Sequence, residues 1–322
     1  MLTRRKFVTG ALATGALLKN LPGFAKASQP STPINFDVPP HACDCHTHFY
    51  ESDKIVPLAP NHLYVPDPVT PGEMASLHRA LHIERVVIVT PSVYGPNNNA
   101  ATLFGMKSQG ARNARGIAVV NDKTPDADFD SMYKQGFRGV RIISGVSGPK
   151  DPSAARPIFQ SAAARFKNHN WHIQMYTNLA VISGLKDLVS TSPVPVVFDH
   201  FGGLKASLGL HQAGFSDLLD LVRAGHAYVK ISAAYRASTQ APDYPDVAPF
   251  ARALIEANPD RILWGTDWPH PAAAAPGAKP NDPMPEFKID DGRLFNQFPV
   301  WAPDAEIRKK ILVDNPAKLY GF

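Results

Sequence analysis

Cysteine is nearly missing: the 322 residues hold two, Cys43 and Cys45, too few for a disulfide scaffold. Two residues apart on one extended run, their Cβ atoms would stand about 6.6 Å apart. A disulfide needs roughly 3.5–4.5 Å, so both read as buried thiols. Net charge is missing from the body of the chain. Five of the 33 Lys and Arg (Arg4, Arg5, Lys6, Lys19 and Lys26) fall in residues 1–27, which contain no Asp or Glu, and the remaining 28 cations balance the 28 acids. A basic groove for nucleic acid therefore has no support. Repeats, heptads and low-complexity tracts are absent, and with 19% charged and 44% hydrophobic residues the composition is neither disordered nor coiled-coil.

The opening MLTRRKFVTGALATGALLKNLPGFAKA reads as an address. Arg4 and Arg5 precede Phe7, an apolar stretch runs over 8–18, and Ala25-Lys26-Ala27 has the small-x-small form of a cleavage site. This order resembles a twin-arginine export signal. The stretch is too short, and too rich in Ala and Gly, to span a bilayer. The expectation is a signal over 1–27, a mature chain of 28–322 in the periplasm or secreted, and no membrane partner once the signal is removed.

From residue 41 onward, short β-rich runs recur at 42–46, 86–90, 116–120, 139–143, 172–176, 194–199, 228–232 and 262–265. Most are near-continuous apolar runs, the mark of strands buried on both faces. Helix-like patterning separates them at 128–135, 154–168, 181–190, 215–224 and 247–257, and a last helix opens at Asp304 and stops at Asn315-Pro316. Eight strands alternating with helices predict an α/β fold, a single (β/α)8 TIM barrel. A doubly wound sheet would want a glycine-rich turn after its first strand; here that strand ends in His46-Thr47-His48.

In such a barrel the chemistry sits at the C-terminal ends of the strands, and there this sequence is polar. His46 and His48, two apart on an extended chain, share one face. The sixth strand ends in Asp199-His200, and the eighth in Gly265-Thr266-Asp267-Trp268-Pro269-His270. Three His and a carboxylate converging on one axis can hold one divalent metal, or orient and activate water without one. A lone HxH is commonplace; its combination with the later strand ends makes it informative.

DCHTH, VVFDHFGG, ILWGTDWPHP and the closing NPAKLYGF resemble the amidohydrolase-related group of metal-dependent-hydrolase barrels. The branch in view includes 2-pyrone-4,6-dicarboxylate lactonase, sulfomuconolactone hydrolase and sugar lactonases, and the resemblance runs from about residue 39 to 322. It implies an amidohydrolase-like barrel that opens a lactone or similar cyclic ester of a small carboxylate or sugar acid. Asp267 would activate water, and His46, His48 and His200 would polarise the carbonyl or ligate metal. The implied cofactor is one divalent ion, zinc or manganese, on His46, His48 and Asp267, or none in a metal-independent site. Related barrels with two metals carry a bridging Lys on the fourth strand, which is missing from GVRII here. The alternatives are a zinc-dependent non-oxidative decarboxylase of an aromatic or enoic acid and, outside catalysis, a periplasmic binding or accessory barrel.

The candidate substrate anchors are Arg141, at the mouth end of the fourth strand, Tyr176 at the end of the fifth, and Arg236 after the seventh. A guanidinium suits a planar carboxylate, which it can grip with two hydrogen bonds. Arg138, three residues before Arg141, falls on the opposite face and is expected to pair with a helix. The pyrone dicarboxylate lactonases carry an Arg three residues after the sixth-strand His; the position here is Gly203, so one carboxylate clamp is missing. His270 reads equally as a mouth residue or a structural loop residue. The partner is expected to be a small molecule, with no indication of oligomeric state.

Overall fold

The computed structural model describes residues 27–144, 152–272, 277 and 279–322. Apart from Ala27, the expected signal lies outside the described residues. Eight strands, β1 (Cys43–Thr47), β2 (Arg85–Val89), β3 (Ala114–Ala118), β4 (Phe137–Ile143), β5 (His172–Tyr176), β6 (Val196–Phe198), β7 (Ala227–Ser232) and β8 (Ile262–Gly265), lie side by side in sequential order. Every neighbouring pair is parallel, and each crossover carries helix. This is a (β/α)8 barrel, with strand bounds within two residues of those read from the sequence. Buried runs such as Val86–Val89 and Val196–Phe198 face side chains on one surface and helices on the other. Each fully buried aliphatic or aromatic side chain there contributes about 1.5–3 kcal/mol.

Closure between β8 and β1 depends on a side chain as much as on a ladder. His48 N–H donates to the Trp268 carbonyl (2.8 Å) and Asp267 N–H to the His46 carbonyl (2.7 Å). Below them the buried Asp44 carboxylate accepts from His46 N–H and Thr266 N–H (3.0 Å each) and from the Thr266 hydroxyl (2.6 Å). Gly265 permits this approach: a Cβ there would stand 2.8 Å from the His46 nitrogen. The seam ties the strand carrying His46 and His48 rigidly to the strand leading to Asp267. Cys43 and Cys45 are buried and unbridged, as expected.

The helices depart from the sequence reading in several places. Pro71–Ala80 and Ala100–Gln109 are helices that the reading omitted, although Thr70 and Glu73 form a capping box before the first. The stretch 181–190 splits into Leu179–Gly184 and Lys186–Ser190 at Leu185. The final helix does not stop at Asn315-Pro316. Ala305–Lys309 leads into a wide π turn, Lys310–Asp314, and helix resumes over Asn315–Tyr320. Pro316 sits in the first turn of that restarted helix, where its missing N–H costs nothing. The Asn315 amide fixes the restart by donating to the Pro259 and Ile262 carbonyls (2.7 and 2.8 Å).

Candidate active site

The mouth of the barrel is built on strained backbone. His200 (φ 50°), Phe201 (φ 56°), Ala233 (φ 53°), Asp267 (φ 66°) and His270 (φ 68°) all follow β6, β7 or β8 in the left-handed region. Non-glycine residues there cost about 1–3 kcal/mol each and persist only where the surroundings fix them. At these three strand ends the turn directs His200 and Asp267 toward the barrel axis rather than onward along the strand.

The structure brings His46, His48, His200 and Asp267 together, all essentially buried. The Nε2 atoms of His48, His46 and His200 lie 3.4, 3.6 and 3.7 Å from one oxygen, Asp267 Oδ1. That oxygen and His46 Nε2 have no hydrogen-bond partner among the described residues. The other Asp267 oxygen, Oδ2, is saturated: the Tyr235 hydroxyl (2.8 Å) and Arg236 Nε (2.7 Å) both donate to it. One carboxylate oxygen is thus anchored and the other left open.

The tautomer of His48 follows from its remaining ring nitrogen. His48 Nδ1 sits 2.8 Å from the Val89 carbonyl, which only accepts, so Nδ1 carries the proton and Nε2 presents a lone pair. His46 Nδ1 lies between an acceptor and a donor, Asp199 Oδ1 at 3.2 Å and Lys230 Nζ at 3.3 Å, so its neighbours do not select one tautomer. Burial pushes the pKa of His46 down to about 3 and lowers those of His48 and His200, so the imidazoles are neutral. Burial alone would raise the Asp267 carboxyl, but Arg236 together with His200, His48 and His46 outweighs it and holds the group well below the usual carboxylate range. The His48 lone pair therefore faces an open carboxylate oxygen, with His46 Nε2 beside it. Such an arrangement is repulsive unless a cation or proton lies between, and neutral imidazole with carboxylate suits a divalent ion.

His46, His48 and Asp267 are one of two sets whose ligand atoms lie within 4.8 Å of one another; His46, Asp199 and His200 are the other. The second set already has its cation. Lys230 Nζ lies 3.3 Å from His46 Nδ1 and 3.4 Å from Asp199 Oδ1, and donates to Gln174 Oε1 at 2.7 Å. The first set has no lysine against its ligand atoms and is the one fitted to hold an ion.

Lys230, Gln174 and Asp199 form a buried layer under the imidazoles that the sequence reading did not place in the site. Burial would raise Asp199, but His46 and Lys230 hold its carboxyl well below the usual range. The available signal was a Lys and a Gln in the middle of the otherwise apolar runs β7 and β5. Tyr235, beside Arg236 after the seventh strand, was assigned no role from the sequence, and His270 proves to be a supporting residue. Its Nδ1 lies 3.1 Å from the Tyr235 hydroxyl and its Nε2 3.0 Å from the buried Asp291, so it steadies the phenol that holds Asp267.

Above the centre opens a cavity of about 330 Å3 lined by His48, Asp267, Arg141, Tyr176, Arg236, Tyr50 and Tyr64, among others. All three expected anchors line it. Arg236 already spends Nε on Asp267 and another donor on the Pro271 carbonyl. Arg141 is less committed: Nε has no hydrogen-bond partner among the described residues and lies 3.6 Å from Asp199 Oδ2. Arg138 faces away, donating to the Tyr133, Phe137 and Tyr320 carbonyls. Gly203 could not carry an arginine in this backbone, since at φ 73° its Cβ would fall 2.2 Å from the Thr177 carbonyl oxygen.

A family model described as amidohydrolase matches residues 43–322. The chain belongs to the amidohydrolase family. Among relatives of this amidohydrolase, the 4-sulfomuconolactone hydrolase of Rhizobium radiobacter is 34% identical over 293 residues, covering 90% of this chain and 93% of that protein. The 2-pyrone-4,6-dicarboxylate hydrolase of Comamonas testosteroni is 33% identical over 302 residues, covering 91% and 94%. A solved structure from Acinetobacter baumannii, named a probable 2-pyrone-4,6-dicarboxylic acid hydrolase with citric acid bound, shares the fold. Its TM-score is 0.72 at 23% identity, covering 88% of this chain and 100% of that one. This amidohydrolase is an enzyme of the hydrolase class.

Proposed function

We propose that the enzyme hydrolyses a lactone bearing a carboxylate. The observation that carries this reading is the pairing, in one cavity, of an open carboxylate oxygen on Asp267 with a nearly buried guanidinium, Arg141, whose Nε lacks a partner. The first receives a proton and the second seeks an anion. The named lactone hydrolases at 33–34% identity support the same substrate class.

Arg141 grips the substrate carboxylate and turns the ring carbonyl toward Asp267. Water beside Asp267 Oδ1 gives up its proton to that oxygen as it attacks. Oδ2 cannot compete, because Tyr235 and Arg236 occupy it. His200 supports the carbonyl oxygen: its Nδ1 lies 2.9 Å from the Ser232 hydroxyl, and when that hydroxyl donates, Nε2–H is left to bond the developing oxyanion. The attack gives a tetrahedral carbon, the ring C–O bond breaks, and the departing alkoxide recovers the proton from Asp267. Because Arg236 and the three imidazoles make Asp267 a weak base, the water must itself be acidified. A divalent ion on His46, His48 and Asp267 would supply that acidity and polarise the carbonyl.

The test is metal analysis of the purified mature protein, then a panel of carboxylated lactones with and without chelator, assayed both for acid formation and for carbon dioxide release. Ring opening with at most one ion per chain is expected. Two ions per chain would overturn the mononuclear site, and carbon dioxide release without ring opening would overturn the lactonase reading. Full activity after exhaustive chelation would make the imidazoles hydrogen-bonding groups. We propose export as well, supported by the Arg4-Arg5 signal and by the way the chain is bonded down from Ser28, whose carbonyl accepts from Trp268 Nε1 at 2.8 Å. N-terminal sequencing of periplasmic protein should read a start near Ser28; an intact Met1 on soluble cytoplasmic protein refutes this.

A further inference from the structure

The reacting centre opens on two chambers. His48, Asp267 and Arg141 face the cavity of about 330 Å3 described above. His200 instead lines a second cavity of about 450 Å3, whose walls include Thr177, Leu179, Lys205, Leu208 and Ala213. Tyr176 and Arg236 line both, with the guanidinium carbon 5.9 Å from the ring centre, and so form the partition. Each chamber falls in the range of about 300–1,000 Å3 that small-molecule sites occupy. A single compact ring with a carboxylate at Arg141 leaves the second chamber unused.

The second chamber has the fittings of a ligand site. Glycine at 203 lines it and packs directly on the Thr177–Asn178 backbone, where a Cβ would stand 2.2 Å from the Thr177 carbonyl oxygen. Thr177 is 1% exposed, yet its hydroxyl has no hydrogen-bond partner among the described residues. Lys205 Nζ donates one hydrogen bond to the Arg236 carbonyl at 2.7 Å and keeps two N–H groups. Leu179, Ala180, Leu208 and Ala213, with the Tyr176 ring, give the wall an apolar strip, and Asn178 and Gln212 also line it.

We propose that this chamber is a subsite for a second arm of the substrate, an apolar chain ending in a carboxylate. The lactone ring lies at Asp267, and the arm passes Tyr176 to place its apolar part along Leu179 and Leu208 and its carboxylate at Lys205. The missing clamp at Gly203 then marks a change of substrate shape, from a compact dicarboxylate to an elongated one. This inference rests on the lactonase reading for the identity of the ring, but not for the existence of the subsite.

The experiment compares two lactones with the same ring carboxylate, one compact and one with a carboxyalkyl chain, on wild type and on Ala213→Trp. Ala213 lies on the exposed surface of the chamber. Should that variant not fold, Leu208→Trp, at a side chain 66% exposed, fills the same space. In parallel, calorimetry measures binding of octanedioate and butanedioate to the same proteins. The proposal expects wild type to favour the extended lactone, and filling to lower the ratio of extended to compact kcat/KM tenfold or more. Lys205→Met should lower the ratio for chains ending in carboxylate, but not for chains ending in methyl. An unchanged ratio on filling, or a wild-type preference for the compact lactone, overturns the subsite and leaves the lactonase reading intact. If neither lactone opens, octanedioate binding that exceeds butanedioate binding and is lost on filling upholds the subsite while the lactonase reading falls; absence of that preference overturns both.

Discussion

The two ends of the barrel use the same residue types for opposite purposes. On the floor, Arg115 donates to the carbonyls of Ala111, Ala114, Tyr320 and Gly321, and Arg138 to those of Tyr133, Phe137 and Tyr320. Their charge is spent pinning the C-terminal tail under the strands, with Arg115 also 4.7 Å above the Phe322 ring. At the mouth, Arg141 Nε, His46 Nε2 and Asp267 Oδ1 are buried and have no hydrogen-bond partner among the described residues. A buried polar atom without a partner costs about 1–3 kcal/mol. A group saturated by backbone is structural, whereas a cluster of unsaturated groups facing a cavity is poised for a ligand. His172 is the floor's exception: neither ring nitrogen has a hydrogen-bond partner among the described residues, and its ring packs 5.3 Å from that of Tyr320.

The sharpest break at the mouth is Asp267→Asn. The amide is nearly isosteric, so the fold should survive, but it cannot take a proton from water. Turnover should fall about 10²–10⁴-fold, roughly 3–5 kcal/mol of barrier. Measuring kcat and metal content together separates loss of a base from loss of a ligand. Turnover within about threefold of wild type would mean that Asp267 is not the base.

Beneath the imidazoles, Lys230→Met removes the ammonium from the buried Asp199 carboxylate and leaves it Arg141 at 3.6 Å and the Gln174 amide. Breaking a buried pair in this way typically costs about 3–5 kcal/mol, so denaturant unfolding should register a large loss. The double change Lys230→Met with Asp199→Asn should recover part of it. Without such recovery, the pair is not what holds His46.

The arginines test the comparison directly. Arg141→Met should lower kcat/KM roughly ten- to hundredfold through KM, as expected for a lost charged hydrogen bond, and leave unfolding nearly unchanged. Arg115→Met should do the reverse, costing about 1–3 kcal/mol of stability with KM intact. Exchanged outcomes would dissolve the distinction between the two ends.

The smallest effect belongs to His172. Burial, with Lys230 nearby, pushes its pKa down to about 3, against an ordinary value near 6.5. Between those limits the unfolded chain takes up a proton that the folded chain refuses. Stability therefore falls as pH drops from about 6.5 toward 3, and is unaffected by this group above that window. Denaturation midpoints at pH 7, 5 and 4 should show a shallower pH dependence in His172→Phe; an equal dependence would remove His172 as a contributor.

Much of this was legible in the sequence because it depends on local pattern. Continuous apolar runs mark strands covered on both faces, and those of β5 and β8 were read to the residue. His46 and His48 share a face because strand geometry alternates, and Asp199-His200 and Asp267 stand out as polar interruptions after apolar strands. The capping box at Thr70 and Glu73 was equally local, yet its helix was not read.

What only the tertiary structure decided are relations across the barrel. Asp44 becomes the clamp of the seam only when β8 closes on β1, 222 residues away in sequence. Lys230, Gln174 and Asp199 become one layer only when β7, β5 and β6 converge. Closure also makes one oxygen of Asp267 saturated and the other free, since Tyr235 and Arg236 reach it from a turn with no sequence signature of its own. Periodicity states which face a side chain takes, but hydrogen-bond satisfaction is a property of all the atoms around it, and those are assembled only by the fold.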